Sequence, residues 1–265
     1  MRVSSLNIVR HGAGEPLLMI TGVSGTHASW GSVFLGELAM RFTCITYDHR
    51  GIGFSAPDDR EFCVRDLAAD ALAVLDELEL DRAHVFGVSM GGMVAQEFAL
   101  AYPDRVGSLT LGCTACGGGE AMLSDEFLEP VRKAWAVGDA ERAIRTMFEA
   151  TVSPAFASDP NHFEAFRESA LAAPVARSTI ERQVLATNRH DCRSRIARLT
   201  HPPLVIHGEL DEVIPIDEGR LLTELAPGAR LVELSGVGHG FWWEQPTFVA
   251  GLINDHANDT VGRMN

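Results

Sequence analysis

"HVFGVSMGGMVAQEFA" (residues 84–99) sets three glycines around one serine, between a short apolar run and a stretch with helical spacing. Glycine reaches backbone angles that a side chain forbids and lets other backbone come close, so Gly87, Gly91 and Gly92 mark a turn too tight for ordinary residues. Ser89 stands at its apex. Gly87-Val88-Ser89-Met90-Gly91 fits G-x-S-x-G, a pattern that carries meaning only where a strand enters and a helix leaves. Both conditions are met: "AHVFGV" (83–88) reads as a buried strand, and Val94, Ala95, Phe98 and Ala99 keep the helical period until Tyr102-Pro103.

Working outward, the same kind of apolar run recurs at "PLLMIT" (16–21), "FTCITY" (42–47), "VGSLTLG" (106–112), "PLVIHG" (203–208) and "ARLVELS" (229–235), with an N-terminal strand or hairpin expected at 3–10. Strands covered on both faces must be apolar throughout, so these runs predict parallel strands alternating with helices. In "VRDLAADALAVLDELEL" (64–80), Val64, Leu67, Ala68, Ala71, Leu72, Leu75 and Leu78 form one stripe with Asp66, Asp70, Asp76 and Glu77 off it. From about 115 to 200 the alternation stops, and helical stretches follow one another at 124–136, 139–150, 159–171 and 176–189. The sequence therefore predicts an α/β fold, a mostly parallel central sheet flanked by helices. Residues 1–114 and 201–265 would form its core, and residues 115–200 an inserted helical lid over the C-terminal strand ends, where such sheets place ligands.

Composition narrows the function. The formal charge of −14, with no basic cluster to offset it, argues against nucleic acid and anionic membrane as partners. Lys133 is the only lysine, which leaves almost nothing for Schiff-base chemistry. The N-terminal stretch has no apolar core followed by a small-residue cleavage site, and no apolar run approaches the roughly 18 residues needed to span a bilayer, so a cytoplasmic protein is expected. Five scattered cysteines, Cys44, Cys63, Cys113, Cys116 and Cys192, fit a reducing compartment, and Cys113-x-x-Cys116 reads as two buried residues ending a strand. HExxH, a second CxxC and an EF-hand loop are all missing, so neither metal nor cofactor is expected.

An ordinary alcohol is a poor nucleophile. Ser89 needs an imidazole to accept its proton and an acid to hold that imidazole in the right tautomer. His239, in "SGVGHGFWWEQP" (235–246), follows the last expected strand on a glycine-rich turn; His11, His190, His201 and His256 are expected to be solvated. For the acid, "PLVIHGELDEVIP" (203–215) offers Glu209, Asp211 and Glu212, and Asp211 is the one placed to turn back toward the sheet. The oxyanion of a tetrahedral intermediate needs donors. Met90's amide at the helix start is one, and in "ITGVSGTHASW" (20–30) Gly22 would let Val23's amide face the cleft as the other, against the alternative of a plain glycine turn. Trp135 and Phe241 are the aromatic residues expected to meet an apolar part of the substrate.

With these residues in place the chain resembles the α/β-hydrolase superfamily over nearly its full length. "YDHRGIGFSAP" (47–57) is similar to that family's D-x-R-G-x-G-x-S loop through Asp48, Arg50, Gly51, Gly53 and Ser55, and by resemblance this loop is mainly structural. One departure is Thr21-Gly22, where family members commonly carry His-Gly and use the His to brace the oxyanion loop. Relatives that attack saturated carbon carry aspartate where this chain has Ser89, and lyases of this fold carry lysine beside the histidine, where this chain has Gly238 and Gly240. The resemblance thus implies cleavage of a small-molecule ester or lactone through an acyl-enzyme, and "LATNRH" (185–190) is similar to the enol-lactone hydrolase branch. Carbon–carbon hydrolysis of the meta-cleavage type, cofactor-free perhydrolysis and ligand binding in the manner of hormone receptors are the alternatives. A homodimer is compatible with all of them.

Overall fold

Every residue of "AHVFGV", "VGSLTLG" and "LVIHG" is buried, as strands sandwiched between helix layers must be. The computed structural model describes residues 6–118 and 123–264. It has one sheet built from β1 (Ile8–His11), β2 (Glu15–Ile20), β3 (Phe42–Tyr47), β4 (Ala83–Val88), β5 (Val106–Gly112), β6 (Leu204–Gly208) and β7 (Arg230–Leu234). The spatial order is β1-β3-β2-β4-β5-β6-β7. β1 runs antiparallel to β3, with Ile8 opposite Tyr47, and all other pairs are parallel. Three of the expected strands, β3, β4 and β5, coincide residue for residue with the apolar runs.

The helices are α1 (Ser32–Ala39), α2 (Val64–Glu77), α3 (Met90–Ala101), α4 (Asp125–Ala136), α5 (Ala140–Thr151), α6 (Pro154–Ala157), α7 (Pro160–Leu171), α8 (Arg177–Asn188), α9 (Arg193–Ile196), α10 (Ile216–Leu225), α11 (Phe241–Glu244) and α12 (Pro246–Met264). The period of two in β2 sorts its side chains between two cores: Leu18 and Ile20 join α2, α3 and α10, while Leu17 and Met19 join α1 and α12. None of the described helices is long and apolar enough to cross a membrane.

α2 departs from its expected stripe in two places. Val74 is buried where Leu72 and Leu78 are only partly so. Asp70, placed off the stripe as a polar residue, is also buried, because both its carboxylate oxygens accept from Arg50, at 2.7 and 2.6 Å. A buried carboxylate needs such a partner.

The glycines of the opening stretch serve close approach. A Cβ on Gly91 would lie 2.1 Å from the carbonyl oxygen of Ile20, and one on Gly87 would lie 2.2 Å from that of Gly91. Backbone cannot step aside as a flexible side chain can. Gly91→Ala is expected to destabilise the fold by more than about 3 kcal/mol, lowering Tm by roughly 10 °C in a thermal melt.

The helices between β5 and β6 meet the rest of the chain at loops that follow strands. Gln183 of α8 accepts from Ser24 N at 2.8 Å, Ser169 of α7 donates to Ala28 O at 2.6 Å, Val175 forms an isolated bridge with Ile52, and Thr151 accepts from Gly240 N.

His190 is buried, contrary to the solvated position expected for it. It packs with its Nδ1 3.6 Å from the carboxylate of Glu97, which also binds Arg195. Burial pushes its pKa down to about 4 despite the nearby Glu97 charge. Between the ordinary histidine value and about 4, the unfolded chain takes up a proton that the folded His190 refuses, so stability falls as pH drops through this window. The loss is on the order of 3 kcal/mol. Chemical denaturation at pH 7 and pH 4.5 should show a smaller difference in His190→Asn than in the parent.

Candidate active site

Ser89 occupies a backbone conformation (φ 56°, ψ −126°) that residues with side chains rarely adopt. It persists because its surroundings pin it: its N–H donates to Gly112 O at 3.0 Å, and its carbonyl accepts from Thr114 Oγ1 at 2.7 Å and Gly92 N at 2.9 Å. Strand β4 ends and α3 begins at this residue, so the side chain is thrown off the end of the sheet. Its hydroxyl makes no hydrogen bond within the described residues, and the residue is 8% exposed.

The turn after β2 lies against that hydroxyl. A Cβ on Gly22 would sit 2.9 Å from Ser89 Cβ and 3.3 Å from Oγ, so only glycine lets the Gly22–Val23 peptide come this near. Val23 N makes no hydrogen bond within the described residues and remains a free donor, while its partly buried side chain packs on the main core. Met90 opens α3, where the first amides lack intrahelical partners. The bracing expected of a histidine at position 21 is supplied otherwise. Thr21 Oγ1 donates to Gly25 O at 3.2 Å, His49 Nε2 lies 3.1 Å from Thr21 O, and Gln183 Oε1 holds Ser24 N.

Asp211 and His239 follow β6 and β7 and meet. His239 Nδ1 lies 2.7 Å from Asp211 Oδ2, which places the proton on Nδ1 and leaves the Nε2 lone pair free. The second carboxylate oxygen accepts from Val213 N and Ile214 N, both at 2.9 Å, while Glu209 and Glu212 point to solvent. Burial pushes the Asp211 carboxyl up, but the His239 charge and the hydrogen bonds it receives outweigh this and hold it well below the usual carboxylate range. It is therefore ionised, and an acceptor, at neutral pH.

Cys113 joins the two halves of the site. It follows Gly112, the partner of Ser89, and its Sγ, an Asp211 oxygen and a His239 nitrogen all lie within 4.8 Å of one another. Such donors suit a soft cation, yet Asp211 and His239 are already bonded to each other and the thiol is pushed well up by burial and by Asp211. Cys113 and Cys116 are both buried and free, packed in different core clusters.

The turn carrying His239 is tied to the inserted helices by Glu244. Its carboxylate accepts from Gly238 N at 2.8 Å, from Ser153 N at 3.0 Å and from Ser153 Oγ. Nothing in the local pattern of "FWWE" distinguishes this residue, because its partners lie in a distant segment. Asp48, fully buried just after β3, ties the loops that follow β2 and β3 by accepting from His27 N, Asn7 Nδ2 and Phe54 N.

The two aromatic pocket residues fare differently. Phe241 is 0% exposed and sits in the core with α1 and α12, its ring filling the space that a Cβ on Gly112 would take. It is a packing residue of that core. Trp135 is half-buried on α4, against both the main core and the small cluster of Val131, Ala134 and Ala143.

The chain belongs to the family of the alpha/beta hydrolase fold, whose model matches residues 15–246. It is similar to 2-hydroxymuconate semialdehyde hydrolase of Pseudomonas sp. (strain CF600), 29% identical over 263 residues that cover 94% of this chain and 89% of that protein. It is similar also to 3-oxoadipate enol-lactonase 2 of Acinetobacter baylyi, 28% identical over 225 residues, with 83% and 81% covered. Among solved structures, a hydrolase from Pseudomonas aeruginosa PA01 matches with a TM-score of 0.82 at 30% identity, over 96% of this chain and 94% of that one.

Proposed function

We propose that this protein is a serine hydrolase that cleaves a carboxylic ester or lactone through an acyl-enzyme. Ser89 would be the nucleophile, His239 the base and Asp211 the residue that orients the imidazole. The observation that carries this reading is a serine in strained backbone at a strand–helix turn, its hydroxyl free, with a hydrogen-bonded His–Asp pair on neighbouring strand ends. Nε2 of His239 takes the Ser89 proton as Oγ attacks the carbonyl carbon, and the carbonyl oxygen gains its charge beside the amides of Val23 and Met90. The imidazolium then protonates the leaving oxygen, and water releases the acyl group by the same steps. No hydrogen bond joins Ser89 Oγ to His239 in the structure. Such contacts commonly tighten only with substrate bound.

The segment 115–200 serves as the lid, and Trp135 is its aromatic contribution to substrate binding. Two features favour it: Gln183 reaches the turn bearing Val23, and Ser153 shares Glu244 with the turn bearing His239. A fluorophosphonate reagent is expected to label the parent protein at Ser89 and to leave Ser89→Ala unlabelled. Sustained turnover of p-nitrophenyl acetate or butyrate would exclude a purely ligand-binding role. Among esters, lactones and meta-cleavage diketones, an ester or lactone should give the highest kcat/KM. Preference for a diketone would move the reaction to carbon–carbon hydrolysis, the reading favoured by the similarity to 2-hydroxymuconate semialdehyde hydrolase.

A further inference from the structure

His207, on β6 four residues before Asp211, is fully buried in a position that is costly to maintain. Its Nδ1 has no hydrogen-bond partner among the described residues. A buried polar atom left unpaired is destabilising, a cost that a leucine or phenylalanine at this position would avoid. The fold makes room for the ring in a second way that is also unfavourable. A Cβ on Gly219 would lie 2.5 Å from His207 Nδ1, so α10 carries a glycine within the helix where alanine would favour helix formation.

The other ring nitrogen explains what is gained. Nε2–H donates to Ile214 O at 2.8 Å, and the same nitrogen lies 3.1 Å from Asp211 Oδ2, the oxygen that receives His239 Nδ1. One imidazole therefore ties down the far end of the loop that carries Asp211 and sets an N–H dipole against the carboxylate oxygen bonded to His239. Asp211 Oδ2 thus stands between two imidazoles, and Oδ1 is held by the amides of Val213 and Ile214. The other groups facing this cluster are the Cys113 thiol from the end of β5, the backbone of Gly219 from α10, and Glu233, the register partner of His207 on β7, whose charge interacts with that ring.

We infer that His207 is a positioning residue for the acid of the site: it fixes Asp211 against His239 and limits how strongly that carboxylate draws the imidazole's proton. This rests on the role proposed above for Asp211 and His239. Without the Nε2–H dipole, Asp211 would hold its negative charge less compensated, and protonated His239 would be favoured.

The variant that isolates this effect is His207→Phe, which keeps a planar ring and removes the donor. In the Ser89→Ala background, the proton NMR resonance of His239 Nδ1–H reports the His239–Asp211 pair without any turnover. The pH at which it titrates is expected to rise by about 0.5 or more in His207→Phe. In the active protein, kcat should fall roughly 10- to 100-fold with KM little changed, and the acid limb of kcat/KM should move the same way. His207→Gln, which keeps a donor, should recover most of both. Gly219→Ala, which pushes on the ring without touching Asp211, should shift the same resonance. Unaltered titration in both His207→Phe and Gly219→Ala, with only Tm changed, would overturn the inference. Should the resonance move while the parent protein hydrolyses no ester, lactone or diketone, the inference stands and the hydrolase reading falls.

Discussion

Ser89→Ala is expected to lower turnover of any ester or lactone substrate by on the order of 10⁴-fold or more, with Tm almost unchanged. The two parts of that expectation come from different features. The hydroxyl makes no hydrogen bond within the described residues, so removing it breaks none there, and the pins on the strained backbone use the Ser89 N–H and carbonyl, which alanine keeps. Chemistry, by contrast, loses its only nucleophile at this turn. The residual rate would come from the amides of Val23 and Met90 and from substrate binding, which act without Oγ. Steady-state kinetics beside a thermal melt checks both parts. Retained hydrolysis with Ser89 absent would show that the acyl-enzyme does not form there.

Asp211→Asn should come close to that effect, lowering kcat by on the order of 10⁴-fold. Asparagine can present its carbonyl oxygen to Val213 N and Ile214 N as Asp211 Oδ1 does, and it then turns its NH₂ toward His239. Two donors cannot share one hydrogen bond, so His239 must carry its proton on Nε2 and cannot accept one from Ser89. The loop survives and the tautomer does not. The pH dependence follows from the same residue. Because the carboxyl is held well below the usual range, its stabilising contribution is present at neutral pH and disappears only deep in acid, as pH falls through the folded value. The acid limb of the parent's activity should therefore belong to the imidazole. An Asp211→Asn protein within 10-fold of the parent rate would reduce Asp211 to a loop anchor.

Much of this was legible from local pattern alone. β3, β4 and β5 match their apolar runs to the residue, and β4 and β5 are buried throughout, as strands between two helix layers are. The turn at Ser89 was legible for the complementary reason. Gly87 and Gly91 are required by close backbone of α3 and β2, Gly92 by the Thr114 side chain, and the motif occupies a single short stretch. Local pattern also nominated Asp211 and His239, since strand ends deliver their following loops to one edge of the sheet.

Polar partnerships between distant segments were not legible. Helical phase places Asp70 off the apolar stripe of α2, yet Arg50 draws it inside. His190 was assigned to solvent from its neighbours, yet it lies buried beside Glu97, 93 residues away. Phe241 was assigned to the pocket because it follows His239, and a single helical turn points it into the core instead. Glu244 and Gln183 steady the two turns at the site across 91 and 159 residues of chain. Hydrophobic periodicity records how each segment divides its own faces between core and water. Which buried nitrogen meets which oxygen depends on how those segments pack together, and that information exists only once the chain has closed on itself.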